Sequence, residues 1–278
     1  MYVKYSVILR ARNAEHRTRN TELFKLQTSN IKHYMVYFIS DAHLGSRIVK
    51  NPREHENKVV AWLDSVKHDA TAIYLLGDMF DFWFEYRTVV PKGYVRFLGK
   101  LAELTDSGIE IHFFIGNHDI WTFGYLEKEV GLIVHKEPYT VQLGSKRFFM
   151  AHGDGLHAEE RGFEILRKVF HSNAAQKLFR LVPAQLGQEF GYSWSKHNRE
   201  KIMHDDNKFK GEDNESLVVY AKKYFETHDV DFMIFGHRHV ALDLQLKNNK
   251  RVVILGDFVG IFSYGKFDGE NFQLEYTD

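Results

Sequence analysis

Apolar residues fall into short runs separated by longer mixed stretches from Met35 onward. The short runs predict buried strands, and the stretches between them predict helices. In chain order the predicted elements are strand 35–39, helix 53–67, strand 72–76, helix 92–107, strand 110–115 and helix 120–130. Strands that alternate with helices are typical of an α/β protein whose sheets are covered by helices.

The later part of the chain has a different pattern. Residues 132–150 and 231–277 are predicted to form short strands. Turns are expected at Gly144-Ser145, Asn248-Asn249 and Asp268-Gly269. Both regions contain the Gly, Asn and Asp residues that tight turns favour, which agrees with short strands joined by turns.

The segment between them, at about 157–212, is predicted to be an inserted helical cap. Its apolar residues recur at spacings of three and four: Phe163, Leu166, Phe170, Ala174, Leu178 and Leu181. Pro183 should end this run, and a second helix is predicted over 185–203. One interpretation is a helical pair that packs only on the core. Interleaved aromatic and basic residues favour a cap that contacts a ligand: Phe190, Tyr192, Trp194, Lys196, Arg199 and Lys201.

Five of the apolar runs end in polar side chains. The strand ends read Ser40-Asp41-Ala42-His43, Gly77-Asp78, Gly116-Asn117-His118-Asp119, Ala151-His152-Gly153-Asp154 and Gly236-His237-Arg238-His239. A single Gly-Asp or Asp-x-His would more often be a cap or a satisfied polar group. Because parallel strands deliver such residues to the crevice at their carboxyl ends, five in order predict one shared site.

The residue types at these strand ends indicate a metal centre. The candidate ligands are Asp41, His43, Asp78, Asn117, His152, His237 and His239. Carboxylate, imidazole and amide oxygen without sulfur suit manganese, iron or zinc. Seven donors exceed the needs of one tetrahedral ion and match two ions that share a bridging carboxylate. Two such ions can bind phosphoryl oxygens and stabilise an in-line displacement.

Composition narrows the possibilities further. The 278 residues are 44% hydrophobic, enough for one large core. Lys+Arg and Asp+Glu number 37 each, so no charge excess predicts nucleic acid binding. The chain has no Cys, which excludes disulfides and cysteine nucleophiles and suits a cytoplasmic location. Residues 1–34 are basic and are expected to be a loosely ordered N-terminal extension, or sequence upstream of a start at Met35.

Taken in order, the five motifs resemble those of the calcineurin-like metallophosphoesterase superfamily over residues 35 to about 265. The resemblance implies a four-layer αββα sandwich with a dinuclear centre. One metal would be held by Asp41, His43, Asp78 and His239, and the other by Asp78, Asn117, His152 and His237. It also implies that His118 meets the leaving group and that the Asp81 carboxylate orients it. A histidine that protonates a leaving oxygen needs such a partner to fix its tautomer.

Within the superfamily the chain is most similar to the UDP-2,3-diacylglucosamine diphosphatases of lipid A biosynthesis. The similarity lies in three features: Ser40 to Gly45, Leu76 to Trp83, and a helical insertion after Asp154. This similarity implies hydrolysis at the α-phosphorus, which gives UMP and a diacylglucosamine 1-phosphate. It also implies two divalent metal ions, with manganese expected first and zinc or iron as alternatives. Several members of that family have Arg where this chain has His118.

Three functions therefore stay open. The first is the lipid-nucleotide diphosphatase, with peripheral contact to the inner face of the cytoplasmic membrane. The second is a phosphoesterase for another phosphodiester or nucleotide. The third is a non-catalytic scaffold, which the full set of donors disfavours. For the first, the residues expected to contact the diphosphate or anionic head groups are Asn117, Arg180, Lys196, Arg199 and Lys208.

Overall fold

The computed structural model describes residues 34–156, 168–202 and 208–277. The expected basic extension at 1–34 lies outside these residues except for Tyr34. The cap residues Phe163 and Leu166 also lie outside them, as does the side chain of Arg199. In the part of the chain that the structure describes, no helix has the length and apolar character needed to cross a membrane.

The first sheet has six strands and contains the first three predicted ones. Its strands are β1 (Met35–Ile39), β2 (Ala70–Leu75), β3 (Glu110–Phe114), β4 (Ile133–His135), β10 (Ser263–Phe267) and β11 (Phe272–Tyr276). They lie in the order β11-β10-β1-β2-β3-β4. Strands β1 to β4 are parallel, with Ile39 opposite Leu75 and Leu75 opposite Phe113. Their carboxyl ends therefore meet at one edge.

The second sheet has five strands. They are β5 (Tyr139–Leu143), β6 (Lys146–Ala151), β7 (Phe232–Phe235), β8 (Ala241–Gln245) and β9 (Arg251–Leu255), in the order β5-β6-β7-β9-β8. The three central strands β6, β7 and β9 are parallel, and the two edge strands are antiparallel to them. The turns predicted at Gly144-Ser145 and Asp268-Gly269 join β5 to β6 and β10 to β11.

Helices cover the outer faces of the two sheets and form the cap. They are α1 (Pro52–Val66), α2 (Val95–Asp106), α3 (Tyr125–Glu129), α4 (Asn173–Phe179), α5 (Ala184–Ile202) and α6 (Ser216–Thr227). One apolar cluster packs α1 and α2 on the first sheet, for example Trp62 and Phe97. Another packs α6 on the second sheet, and a third, with Phe38 and Phe148, lies between the sheets. This arrangement confirms the predicted αββα sandwich.

Two helices are shorter than predicted. The helix expected at 92–107 begins only at Val95, because Tyr94 adopts a left-handed conformation with φ 57°. The helix expected at 120–130 is reduced to α3, which Gly124 precedes with φ 115°. Trp121 instead forms a parallel bridge with Phe84, so these residues belong to an aromatic region beside the sheet ends.

The described part of the cap is helical, as predicted. Residues 168–171, α4 and α5 are separate helical pieces, since Ser172 is extended with φ −71° and ψ 121°. Pro183 lies between α4 and α5, in the expected place. An aromatic cluster under the cap joins it to the core: Phe82, Phe84, Tyr86, Ile120, Trp121, Phe123, Phe170, Phe179 and Tyr192.

Candidate metal centre

The five predicted strand ends converge at one place between the two sheets. Asp41, Asp78 and Asn117 follow β1, β2 and β3 of the first sheet. His152 follows β6, and His237 follows β7, in the second sheet. Because each sheet contributes the carboxyl ends of neighbouring parallel strands, residues up to 196 positions apart in sequence come within contact distance.

The backbone at this convergence is strained. Asp41, His43, Asp78, His237 and His239 all have positive φ, between 42° and 69°. Non-glycine residues rarely adopt this left-handed region, and such residues concentrate where function requires a fixed side-chain direction. All five are among the predicted metal ligands.

One group of donors consists of Asp41, His43 and His239. The Nε2 atoms of His43 and His239 lie 3.3 Å apart. Each also lies close to Asp41 Oδ1, at 3.6 Å for His43 and 3.5 Å for His239. Three ligand atoms therefore surround one point.

A second group consists of Asp41, Asp78 and His152. His152 Nε2 lies 3.4 Å from Asp78 Oδ2, and its Nδ1 hydrogen-bonds with the carbonyl oxygen of Leu76 at 2.8 Å. That hydrogen bond directs Nε2 into the site, as is usual for a metal-binding histidine. Asp78 Oδ2 is also 3.8 Å from His43 Nε2, so this oxygen lies between the two groups.

Asn117 and His237 adjoin the second group. The Oδ1 atom of Asn117 lies 3.1 Å from Nδ1 of His237. The backbone N–H of His237 donates to Asp41 Oδ2 at 2.9 Å, and its ring centroid lies 5.1 Å from that of His152. All seven residues predicted as ligands thus lie in one connected cluster.

The charges in this cluster depend strongly on one another. Burial alone would raise the pKa of Asp78, but His152 and His118 lower it well below its ordinary value. Burial lowers the pKa of His152, and Asp78 outweighs burial and raises it well above the ordinary value. Burial raises the pKa of Asp41. Burial, followed by the charge of His152, lowers the pKa of His237 to about 3, which keeps its imidazole neutral.

The cluster fits divalent cations. Asp41 Oδ1 and His152 Nε2 are buried and have no hydrogen-bond partner among the described residues. Burying polar atoms without partners costs free energy, and a cation between them would offset that cost. Within each group of three the ligand atoms lie within 4.8 Å of one another. Carboxylate and imidazole donors suit manganese, iron or zinc.

His118 lies at the edge of the cluster, and the main chain orients its ring. Its Nδ1 hydrogen-bonds with the carbonyl oxygen of Asp81 at 2.8 Å, while Nε2 lies 3.9 Å from Asp78 Oδ2. A carbonyl oxygen only accepts, so Nδ1 carries a proton and Nε2 faces the donors. The Asp81 carboxylate has its Oδ1 3.8 Å from His43 Nδ1. The predicted pairing of Asp81 with His118 therefore runs through the carbonyl group of Asp81.

Asp119 belongs to the Gly116-Asn117-His118-Asp119 motif, and the structure shows its role. Its buried carboxylate accepts backbone N–H groups from Gly116 at 2.6 Å and Met79 at 2.8 Å. It therefore joins the loop that carries Asp78 to the loop that carries Asn117. Burial, followed by the charge of Asp78, raises the pKa of Asp119 to about 7.

Asp257 is a neighbour of the cluster that sequence reasoning missed. It follows β9 and Gly256, and its Oδ2 lies 3.4 Å from Nδ1 of His239. A signal was present, because the apolar run 252–255 followed by Gly256-Asp257 repeats the pattern that ends in Gly77-Asp78. Asp257 therefore marks a sixth strand end of the same kind.

The residues predicted to contact substrate are dispersed. Asn117 lies in the cluster, whereas Arg180, Lys196 and Lys208 are exposed on the cap and beyond it. Arg180 Cζ lies 4.3 Å from the centroid of the Phe123 ring. The structure thus brings one of these residues to the donors and leaves three at the surface.

The apolar face predicted for the cap is divided. Phe170 packs inward, with its ring centroid 5.3 Å from that of Trp121 and its carbonyl oxygen accepting from Trp121 Nε1 at 2.9 Å. Leu178 and Leu181 are 68% and 79% exposed. Other large apolar side chains of the cap are also exposed: Leu186, Phe190 and Trp194. The cap therefore has both a packed face and an exposed apolar surface.

The chain is similar to several known proteins. A family model for calcineurin-like phosphoesterases matches residues 34–241. A UDP-2,3-diacylglucosamine hydrolase of Porphyromonas gingivalis is 45% identical, covering 86% of this chain and 96% of that protein. The hydrolase of the same name from Photorhabdus laumondii is 28% identical, covering 73% and 80%. The solved structure of Chaetomium thermophilum Vps29 is 13% identical, with a TM-score of 0.41 over 88% of this chain and 96% of that one.

Proposed function

This chain belongs to the calcineurin-like phosphoesterase family, and we propose that it hydrolyses UDP-2,3-diacylglucosamine to UMP and 2,3-diacylglucosamine 1-phosphate. The family match confirms the resemblance carried by the strand-end motifs and identifies a metal-dependent hydrolase. The observation that carries the substrate proposal is the likeness over nearly the whole chain, at 45% identity, to a hydrolase named for that substrate. The apolar surface of the cap supports it, because an acyl-bearing substrate needs such a surface.

In this proposal the seven donors hold two divalent ions, with Asp78 bridging. Asp41, His43 and His239 complete one ligand set, and the central position of Asp78 Oδ2 supports the shared role. The second set consists of Asp78, Asn117, His152 and His237. Manganese is the ion proposed here, and the same carboxylate and imidazole donors also suit zinc and iron. When bound, the ions would activate a water molecule at neutral pH and neutralise charge on the phosphoryl oxygens.

His118 has the position of a general acid in this reaction. Its Nδ1 is held by the Asp81 carbonyl oxygen, so Nε2 is the atom that can carry a second proton towards the donors. Protonated there, it would pass the proton to the leaving phosphate oxygen and so stabilise the departing group. The carboxylate of Asp81, beside His43 Nδ1, would fix the orientation of that ligand.

The acyl chains and the membrane are assigned to the exposed side of the cap. Leu178 and Leu181 are largely exposed, so their side chains are available to acyl carbons and to a bilayer surface. Burying each methylene is worth about 0.8 kcal/mol, so even a partial contact contributes strongly to substrate affinity. Exposed basic residues would bind anionic head groups or the diphosphate: Arg180, Lys196 and Lys208. Arg199, which lies in helix α5 with Lys196, is proposed for the same role.

One experiment tests this function directly. The purified chain with manganese is offered UDP-2,3-diacylglucosamine, bis-p-nitrophenyl phosphate and soluble dinucleotides in parallel. The expected result is a large preference in kcat/KM for the lipid nucleotide, with UMP as a product. Equal or better hydrolysis of the small diesters would instead indicate a phosphoesterase for another substrate. Absence of turnover on all of them with metal bound would indicate a scaffold.

A further inference from the structure

Arg47 connects helix α5 of the cap to the loop that carries Asp41 and His43. Its Nη1 and Nη2 donate to Oε1 and Oε2 of Glu189 at 2.6 and 2.5 Å. This fork-to-fork pairing fixes direction as well as distance. The Arg47 Cζ atom also lies 5.4 Å from the centroid of the Tyr192 ring, within the range of a cation–π contact.

A second connection joins the same helix to the same loop. The hydroxyl groups of Tyr94 and Tyr192 lie 2.6 Å apart. The Tyr94 hydroxyl lies directly against Gly45, where an added Cβ would be only 2.3 Å from it. Gly45 also has φ +84°, so glycine is needed here both for the backbone and for the close approach. Burial raises the pKa of Tyr94 well above its ordinary value, so its hydroxyl stays neutral and can donate or accept.

Helix α5 also rests on the residue that follows Asp81. A Cβ added at Gly191 would lie 2.3 Å from Phe82 Cδ2, so the helix approaches Phe82 more closely than any side chain would allow. The Phe82 and Tyr192 rings pack edge to face at 6.0 Å. The helix therefore contacts the chain beside two parts of the site, near Gly45 and near Asp81.

We propose that Arg47, Tyr94, Glu189 and Tyr192 form a latch that fixes α5 over the metal-ligand loop and so favours substrates that reach the cap. All four are positioning residues. A substrate that spans the metal centre and the cap binds well only if the cap is already held in place, because ordering it on binding would cost affinity. A small diester needs the metal centre alone. The proposal rests on the proposed function only for the identity of the large substrate.

The latch is suited to this role because its ion pair contributes little to folding. Arg47 and Glu189 are 38% and 61% exposed, and exposed pairs add only a small stabilisation. Removing one partner should therefore leave the fold intact and change only how firmly α5 is held. The hydroxyl pair of Tyr94 and Tyr192 is better sheltered and should contribute more.

The test compares two substrates on one set of manganese-loaded variants. Arg47→Ala and Glu189→Ala should raise KM for UDP-2,3-diacylglucosamine by roughly two- to five-fold. Tyr192→Phe should raise it by roughly two- to ten-fold. The kcat/KM for bis-p-nitrophenyl phosphate should stay within about two-fold in every case. Arg53→Ala and Lys177→Ala remove exposed cations outside the latch and serve as controls. They should leave the kinetic parameters for both substrates unchanged.

Charge reversal supplies the specificity control. Arg47→Glu alone should weaken binding of the lipid nucleotide. Adding Glu189→Arg to that variant should restore most of the lost affinity. Equal losses on both substrates, or no rescue, would overturn the latch and indicate support of the metal loop alone. If the wild type does not hydrolyse the lipid nucleotide, the proposed function fails separately. Hydrogen exchange of the α5 amides then decides: faster exchange in Arg47→Ala supports the latch, and unchanged exchange overturns it.

Discussion

Asp257 lies behind His239, with its Oδ2 3.4 Å from Nδ1 of the ring, while Nε2 on the other side lies 3.5 Å from Asp41 Oδ1. The second carboxylate oxygen of Asp257 accepts backbone N–H groups from three residues at 2.6 to 3.1 Å: Val259, Gly260 and Ile261. Burial would raise the pKa of Asp257, but His239 and these N–H groups lower it to about 2. A fixed, ionised carboxylate therefore directs a candidate metal ligand, as outer-shell carboxylates do in metal sites.

Replacing Asp257 should weaken metal binding. Asp257→Ala removes both the charge and the ring partner, and affinity for manganese should fall by about 10- to 100-fold. Asp257→Asn keeps an oxygen for the three N–H groups and should lose less. Titration against a chromophoric chelator measures this without any substrate. Asp268→Ala is the matched control, since Asp268 also accepts backbone N–H groups but in an exposed turn. Unchanged affinity in Asp257→Ala would show that His239 needs no such partner.

Much of this site could be predicted from the sequence because its geometry is local and repeated. A buried parallel strand determines where the first residues after it emerge, and Asp41, Asp78 and His152 all lie just beyond the end of such a strand. The alternation of strands and helices predicted an α/β fold with helix-covered sheets, and the family resemblance added the four-layer sandwich. Asp257 obeyed the same rule and could have been found by it.

The remaining features depend on contacts between distant segments. The carbonyl oxygen of Asp81 orients the His118 ring, and a main-chain group carries no sequence signal, whereas the family resemblance implied the Asp81 side chain. Helix α3 is short because Trp121 pairs with Phe84, and no local pattern indicates that pairing. The exposed and packed sides of the cap share one helical spacing, so Phe170 and Leu178 could not be distinguished from periodicity.

His118→Ala should slow hydrolysis while leaving metal binding intact. General acid catalysis is worth about 10²–10⁴-fold, and neither of the two proposed ligand sets includes the His118 ring. The loss should be larger for substrates whose leaving groups are strong bases, since those need a proton most. A series of phenyl phosphodiesters of increasing leaving-group pKa measures this dependence. His68→Ala, at an exposed position, is the control. Equal losses across the series would mean that His118 stabilises charge and donates no proton.

A histidine pair away from the metal centre should make the fold sensitive to acid. His112 Nδ1 and His135 Nε2 lie 2.9 Å apart, and burial lowers the pKa of both to about 4. In the unfolded chain these histidines titrate at about pH 6.5, so between about pH 4 and 6.5 the unfolded state binds more protons than the folded state. The stability that these two neutral histidines contribute should therefore be fully present above about pH 6.5. The free energy of unfolding should fall as the pH drops from there towards about 4.

Substituting one of the pair isolates this effect. His112→Phe keeps an aromatic ring against Tyr74, whose ring centroid lies 4.3 Å from that of His112, and removes one titrating group. The decline in unfolding free energy between about pH 7 and 5, measured with urea, should become shallower than in the wild type. The exposed His68→Phe should leave the slope unchanged. Parallel curves for His112→Phe and the wild type would contradict the assignment.

Charges placed on the exposed apolar surface of the cap should separate membrane contact from catalysis. Leu178 and Leu181 are 68% and 79% exposed, so Leu178→Glu with Leu181→Glu should change the free energy of unfolding by no more than about 0.5 kcal/mol. The double variant should lose binding to anionic vesicles and turnover of the vesicle-borne lipid nucleotide, because burying a carboxylate in an apolar layer is costly. Hydrolysis of bis-p-nitrophenyl phosphate should be unchanged.

Val95→Glu is the control, since Val95 is an equally exposed apolar residue (75%) on α2, outside the cap. Vesicle binding that survives in the double variant, or that Val95→Glu weakens equally, would show that the cap surface does not meet the bilayer.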